Sequence, residues 1–226
     1  IERLSRATLL DRLIVATSSE ASDDPIAEFC RRLGYDCFRG SLTDVLDRYY
    51  QAAKIYHAQT IVRLTGDCPL TDPEVIDYGI NYFLTHDYDY ATNCIERTYP
   101  IGLDMEIFSF VTLERSWREA TLPSEREHVT PYIRNHPELF SVSNFKNETD
   151  LSHHRWTVDE PADFEFVQKI YESLYPNNPH FATSHVLDLI HKRPELAEVN
   201  YHIIHGQGYQ KSLREDELFR KKSKDD

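Results

Sequence analysis

Ile61-Val-Arg-Leu-Thr-Gly-Asp-Cys-Pro-Leu-Thr-Asp-Pro-Glu-Val-Ile-Asp77 decides the fold of this chain. A short apolar run breaks at Gly66, presents Asp67, and gives way to a helix that starts at Pro73. Asp67 therefore stands at the C-terminal mouth of an expected strand, and in open α/β sheets the crevice beyond such mouths is where ligands bind. Arg155-Trp-Thr-Val-Asp-Glu-Pro-Ala-Asp163 has the same grammar: an apolar run ends at Asp159, and Pro161 opens a helical pattern. Two carboxylates brought to one sheet edge can hold a metal ion. An Asp ahead of a helix is also a common N-cap, satisfying orphan N–H groups and the positive end of the macrodipole. Asp72, directly before Pro73, fits that role. Asp159, two residues before Pro161, fits either role, and Asp67 lies too far from its helix to cap it.

Working outward, strand and helix patterns alternate. Residues 12–18 form a compact apolar run of strand type, and Asp24-Pro25 starts a helix whose Ile26, Ala27, Phe29, Cys30 and Leu33 fall on one side until Gly34 stops it. A short strand is expected at 35–38, then a helix through Val45, Leu46, Tyr49, Tyr50 and Ala53 that ends near His57. The Pro73 helix carries Val75, Ile76, Ile80 and Phe83, and a strand follows at 88–93. This alternation predicts a largely parallel sheet with helices on both faces. After Tyr99 the pattern changes to strands at 105–109 and 139–145, with a helical stretch around Trp117 between them. Ser124-Glu-Arg-Glu127 has the form of a capping box, and Thr130-Pro131 starts a fresh helix. Residues 163–175 and 183–192 are helical, and from His205 the chain turns polar, with last turns expected to fray.

Composition excludes whole classes of function. Among 226 residues, 38 acidic side chains outnumber 25 Lys and Arg, for a net charge of -13. Binding a nucleic-acid backbone needs clustered cations, so no nucleic-acid partner is expected. An anionic small substrate would instead need a divalent cation or arginines gathered in a cleft. No apolar run approaches membrane-spanning length and no basic-then-apolar leader is present, so the expectation is no membrane partner and a cytoplasmic location. Cys30, Cys37, Cys68 and Cys94 form no CxxC pair and read as reduced thiols. The phosphate-binding loop, the nucleophile elbow, the HExxH motif and the dinucleotide fingerprint are all missing. Asp87-Tyr-Asp89 is a D-x-D, the metal motif of some glycosyltransferases, but it precedes a strand instead of ending one. His153-His154 would point apart on a strand and reads instead as a loop or exposed pair. The chain opens at Ile1 inside an expected helix, from which the expectation is that an upstream segment is missing.

Several segments in order then carry a resemblance. Arg39-Gly-Ser-Leu-Thr-Asp-Val-Leu-Asp-Arg48, Arg63 to Asp77, Tyr99-Pro-Ile-Gly-Leu-Asp-Met-Glu106, Arg126-Glu-His-Val-Thr-Pro-Tyr132 and Arg155-Trp-Thr-Val-Asp159 resemble the cytidylyltransferase-like proteins related to spore coat polysaccharide biosynthesis protein F. Those proteins are similar to the CMP-sugar synthetases that activate 3-deoxy-octulosonic and sialic-type acids. The resemblance implies an α/β, Rossmann-like nucleotidyltransferase three-layer sandwich over residues 1–204, with a polar tail at 205–226. It also implies a small β-rich insertion that often serves in dimerisation, hence a homodimer.

The implied reaction is attack by the hydroxyl of an acidic sugar on the α-phosphate of CTP, releasing pyrophosphate. By that resemblance Asp67 and Asp159 ligate Mg²⁺ and are the catalytic pair. Arg39, Asp44 and Arg48, with Thr65 and Gly66, shape the nucleotide pocket, and Asp104, Arg126 and His128 meet the acceptor sugar. Family members begin with a strand and an R-x-G-S-x-R-L-P-x-K loop around the triphosphate, and this chain starts after that point. A missing first strand and an incomplete, weak or inactive form are therefore expected. Two rival readings stand beside this one: a metal-dependent glycosyltransferase using Asp87 and Asp89, and a non-catalytic module that binds nucleotide or a partner in a polysaccharide pathway.

Overall fold

Strands β1 (Ile14–Ser18) and β2 (Asp36–Gly40) flank α1 (Asp24–Leu33) in the computed structural model, which describes residues 1–203 and 206–225. Next come α2 (Val45–Ile55), β3 (Thr60–Arg63), α3 (Pro73–Leu84), β4 (Tyr90–Thr92) and β5 (Glu106–Ser109). The chain continues through α4 (Phe110–Glu119), α5 (Pro123–His128), α6 (Pro131–Asn135) and β6 (Val142–Asn144) to α7 (Pro161–Leu174), α8 (Thr183–Lys192) and α9 (Gln207–Asp225). Proline opens α3, α5, α6 and α7 in their first turns, where its missing N–H has no intrahelical partner to lose. Gly34 ends α1 in the left-handed conformation at φ 75°. The expected helix at the start of the chain is only a 3-10 turn, Leu4–Arg6, anchored by Arg3 on the carbonyls of Thr71 and Phe181.

The strands make two sheets. β1 pairs with β2 in parallel, and the second sheet has the order β3-β5-β4-β6. Its β4 and β6 are parallel, and β5 runs antiparallel to both β3 and β4, so β3, β4 and β6 share one direction as expected and β5 alone departs from it. The reason is the connection: a parallel return needs a long crossover, usually helical, and the link from β4 to β5 contains a turn and no helix. The strands expected after Tyr99 thus take places in this sheet, and no separate β-rich insertion is found among the described residues.

Side-chain alternation sorts the second sheet into two faces. Ile61, Tyr90 and Phe108 point to one core, which α2, α4 and α6 fill with Leu46, Tyr50, Leu113 and Ile133. Val62, Ala91 and Ile107 point to the other, closed by Ile80 and Phe83 of α3, Phe166 and Ile170 of α7, and Val186 of α8. The result is the expected three-layer arrangement. Register keeps each face coherent, because Ile61 lies opposite Phe108 and Val62 opposite Ile107.

Between the two sheets lies a cavity of about 1080 Å³, walled by β1 on one side and β3 on the other, with Thr65 and Gly66 among its lining residues. Among the described residues, neither β1 nor β3 pairs with another strand on its second edge. The two-stranded sheet is also too narrow to cover α1, so Ile26, Phe29 and Leu33 are 45%, 42% and 51% exposed, and only Cys30 of its expected apolar face is buried. At the far end, the polar tail forms α9, which docks on α5. Among the described residues, no helix is long and apolar enough to cross a membrane.

Candidate functional site

The loop after β3 places Asp67. Thr65 donates its hydroxyl to the Asp67 carboxylate, and the Cys68 amide closes a turn on the Thr65 carbonyl at 3.3 Å. The side chain stays exposed while the backbone is fastened: the Asp67 carbonyl accepts from the Val158 amide at 2.8 Å and from the Thr157 hydroxyl at 3.3 Å. This joins the β3 loop to the segment that carries Asp159 and brings the two sequence-predicted carboxylates to one edge. Burial, and then the charge of Asp67, pushes the Cys68 thiol up.

Asp159 does not cap α7. That task falls to Asp163, whose Oδ2 accepts from the amides of Asp159 and Glu160 at 3.0 Å. Asp163 is fully buried and grips Arg155 through two 2.8 Å bonds, with Asn200 donating to the same carboxylate. Burial alone would raise the Asp163 pKa, yet the hydrogen bonds from Arg155 and Asn200 hold it below the usual carboxylate range. Arg155 reaches Asp159 as well, at 2.7 Å, while the Asp159 side chain remains 48% exposed. The sequence leaves Asp159 open to either role, and the structure frees it from capping. Asp72, by contrast, is the cap it promised to be: Oδ1 accepts from Glu74 at 3.0 Å, and Oδ2 ties the start of α8 through Thr183.

The Tyr99 to Asp104 turn is the third piece of this edge. Ile101 bridges Arg155, and Trp156 donates to the Ile101 carbonyl at 2.6 Å. Gly102, at φ +104°, lies so close to Trp156 and Thr157 that a Cβ would stand 2.6 Å from their backbone atoms. Asp104 is held by both guanidinium nitrogens of Arg97, at 2.6 and 2.9 Å. Arg97 escapes the sequence reading, although the Pro100-Ile-Gly102 turn that folds 97 back on 104 is visible there. Burial and then Asp104 push the nearby Cys94 thiol up to about 12.

Two residues after Asp104, at the start of β5, Glu106 is buried and lies opposite Arg63 in register, with which it forms an ion pair. Tyr90 donates to it at 2.6 Å, and the Thr130 hydroxyl donates to the same oxygen. Burial raises its pKa, but Arg63, Arg134 and these hydroxyls more than offset that and keep it ionised. Thr130 follows an unusual turn. Val129 is fully buried at φ 73°, ψ -53°, and the Thr130 amide closes on the His128 carbonyl at 2.8 Å. A β-branched residue at positive φ persists only where its surroundings fix it, and here the Glu106 contact does so. The turn sets the direction in which His128 leaves α5.

The remaining sequence-predicted residues group differently from expectation. Asp44, assigned to the nucleotide, caps α2 and forms a two-toothed ion pair with Arg126, assigned to the sugar, at 2.5 to 3.0 Å. Arg126 also donates to the Trp117 carbonyl, so the pair locks α2 to α4 and α5. Arg48 lies nearby on the Ser41 carbonyl, and its buried Nε has no hydrogen-bond partner among the described residues. Arg39 is fully engaged at the β1 end, on the carbonyls of Ser18 and Glu20 and the carboxylate of Asp24. The capping carboxylate of α5 is Glu125, bonded to the Thr121 and Leu122 amides, whereas Glu127 of the expected box turns to Ser212 of α9. Asp89 accepts from Ser141 at the Tyr90 end of β4, opposite the Asp67 edge, which leaves the D-x-D away from this site. His153 and His154 lie in a loop, as expected, with their ring centroids 4.1 Å apart.

Among the described residues, no three His, Cys, Asp or Glu side chains gather in a metal cage. At this edge Asp67 and Asp159 offer exposed carboxylate oxygens, while the Asp104 carboxylate is taken up by Arg97. That suits Mg²⁺, which binds through one or two carboxylates and completes its shell with water and substrate phosphates.

A family model described as Cytidylyltransferase matches residues 1–200. An uncharacterized protein of Methanocaldococcus jannaschii is 39% identical over 219 residues, covering 96% of this chain and 86% of that protein. The spore coat polysaccharide biosynthesis protein SpsF of Bacillus subtilis is 32% identical over 192 residues, covering 83% of this chain and 78% of its own length. Among solved structures, a cytidylyltransferase from Leptospira borgpetersenii serovar Hardjo-bovis superposes with a TM-score of 0.84 at 35% identity, over 90% of this chain and 85% of that one.

Proposed function

The chain belongs to the cytidylyltransferase family, and on that premise we propose that it transfers a cytidylyl group from CTP to the hydroxyl of an acidic sugar, releasing pyrophosphate, for the synthesis of a surface polysaccharide. The observation that carries this reading is the backbone bond from Val158 to Asp67, which brings Asp67 and Asp159 to one sheet edge as two accessible carboxylates. Together they would hold Mg²⁺, which when bound neutralises phosphate charge and lets a strongly acidic protein handle a triphosphate. The chain's own residues do the positioning. Arg155 orients Asp159, and Thr65 orients Asp67. The Arg97–Asp104 pair stands beside them with a polar face for the acceptor, as the resemblance expects of Asp104.

Phosphoryl transfer rests on positioning and charge stabilisation more than on covalent help. The reaction draws on CTP, which fits a cytoplasmic enzyme. The reading is tested by following pyrophosphate release from CTP with a panel of acidic sugars and Mg²⁺. Turnover that needs both the metal and Asp67 supports it. CTP binding that is indifferent to Mg²⁺, with no turnover on any acid sugar, would favour a non-catalytic module.

A further inference from the structure

His128 is held by a relay whose direction the chemistry fixes. Its Nε2 lies 2.9 Å from the Ser212 hydroxyl, and that hydroxyl lies 2.7 Å from Oε2 of Glu127. A carboxylate only accepts, so the single proton of Ser212 points to Glu127; the Gly208 carbonyl, its other neighbour, is longer at 3.3 Å and uncharged. The Ser212 oxygen is then left to accept, and Nε2 must be the ring nitrogen that donates. In a neutral imidazole this puts the lone pair on Nδ1. Among the described residues no hydrogen bond reaches Nδ1, and the side chain is 28% exposed, so that lone pair is open to a ligand.

The ring is also held in place from both sides. Below it, the Val129 turn and the Thr130 contact to Glu106 fix the end of α5. Above it, α9 is fastened by Asp216, which accepts from the Ser124 amide and hydroxyl at 2.9 and 2.6 Å, and Tyr209 meets the imidazole edge-on. Ser212 and Asp216 are buried. All of α9 lies beyond the residues that the family model matches.

Resting on the CTP reading, we infer that Nδ1 of His128 takes the proton of the attacking sugar hydroxyl, and that Ser212 of α9, with Glu127, is the positioning pair that sets this tautomer. As the O–H bond breaks, its proton passes to Nδ1, and the oxygen electron pair forms the new bond to the α-phosphorus. The bond from the α-phosphorus to the bridging oxygen breaks, and its electrons leave with pyrophosphate. The imidazolium is steadied through Ser212 by Glu127 and later loses its proton to water. Burial holds the His128 pKa below its ordinary value, so the ring is neutral and ready at pH 7. Glu127 and Glu106 act against that lowering, and Arg63 and Arg134 reinforce it.

The test uses the full chain labelled with ¹⁵N-histidine, alongside kinetics with CTP, Mg²⁺ and an acidic sugar. At pH 7.5, His128 should give the Nε2–H signature. Glu127→Gln, an exposed change that the fold tolerates, lets an amide donate to Ser212 and should shift the ring toward the Nδ1–H form. The same variant should lower kcat by about tenfold with KM for the sugar little changed, and His128→Gln by on the order of a hundredfold. Ser212→Ala should behave like Glu127→Gln, and Ser212→Thr should restore the rate. A wild-type ring in the Nδ1–H form, or turnover untouched by His128→Gln and Glu127→Gln, overturns the inference. The Nε2–H signature in a protein that turns over no acid sugar overturns the CTP reading instead, and with it the base role, while leaving the relay in place.

Discussion

The Val158 amide donates to the Asp67 carbonyl at 2.8 Å, and this bond joins two segments far apart in the chain at the point where both present a carboxylate. It is a backbone bond, so it survives any change to the Asp67 side chain. The position of Asp67 and its charge can therefore be separated by mutation.

Asp67→Asn should lower kcat/KM for CTP by at least about a hundredfold, the size expected when a preorganised charge at the reacting phosphate is lost. Its melting temperature should stay close to wild type, because an exposed side chain with no buried partner contributes little to stability. Asp159→Asn should behave the same way; its half-exposed pair with Arg155 is worth no more than about 1 kcal/mol. Asp87→Asn should leave turnover intact. The check is pyrophosphate release with titration of Mg²⁺ in the presence of CTP. Full activity in Asp67→Asn, or loss in Asp87→Asn, would return the glycosyltransferase reading to the front.

Asp163→Asn should do the opposite, costing stability first. It leaves the buried Arg155 guanidinium without its main counter-charge, a change worth about 3–5 kcal/mol and a fall in melting temperature on the order of 10 °C. The pH dependence has a definite sign. Asp163 and Glu106 both have folded pKa values held below their ordinary 3.8 and 4.5, so near those values the unfolded chain binds more protons. Their stabilisation is complete above the ordinary carboxylate range and drains away as pH falls through the folded values. Thermal melts between about pH 6 and 3 should show wild type losing stability steeply and Asp163→Asn losing less. Parallel losses in the two proteins would show that Arg155 and Asp163 are not coupled.

Much of this is visible in the chain itself. Gly66 and Pro73 mark the mouth of β3, and Pro161 marks the start of α7, because breakers act locally. What escapes a one-dimensional reading is pairing. Arg63 and Glu106 each interrupt an apolar strand with an opposite charge, a signal of mutual burial, but only register shows that they face each other. The direction of β5 depends on a connection that lacks a helix, which periodicity does not report. α9 is missed for a different reason. Its docking residues Tyr209, Ser212 and Asp216 have helical spacing but are polar, so a search for an apolar stripe passes over them. Asp44 and Arg126 fall into separate roles by motif and into one ion pair by geometry.

The two sheets should also differ in how readily they open. β5 is central, paired on both sides and buried in both cores, whereas β1, among the described residues, has one free edge on the cavity and leans on a helix whose apolar face is largely exposed. Amides of β1, β2 and α1 should exchange with solvent by openings smaller than global unfolding, while those of β5 should exchange only with the whole molecule. Native-state hydrogen exchange read residue by residue decides this. Equal protection in β1 and β5 would mean that the cavity does not divide the fold.

Gly102→Ala tests whether the turn before Asp104 positions the Asp159 segment. An added Cβ would lie 2.6 Å from Thr157 N and Trp156 C and 2.8 Å from the Trp156 carbonyl oxygen, all backbone atoms that cannot rotate away, and the residue holds φ +104°. Strain and displacement together should cost about 2 kcal/mol or more. The displaced atoms are two and three residues from Asp159, and Thr157 also bonds the Asp67 carbonyl. Mg²⁺ affinity in the presence of CTP should therefore fall along with the melting temperature. Gly66→Ala is the matched control for stability: nothing lies within 4 Å of its added Cβ, and the melt should move by less than about 0.5 kcal/mol. A Gly102→Ala protein that melts like wild type would mean that the turn does not press on Trp156 and Thr157. One that is destabilised yet binds Mg²⁺ and CTP normally would mean that the contact supports the fold without setting the two carboxylates.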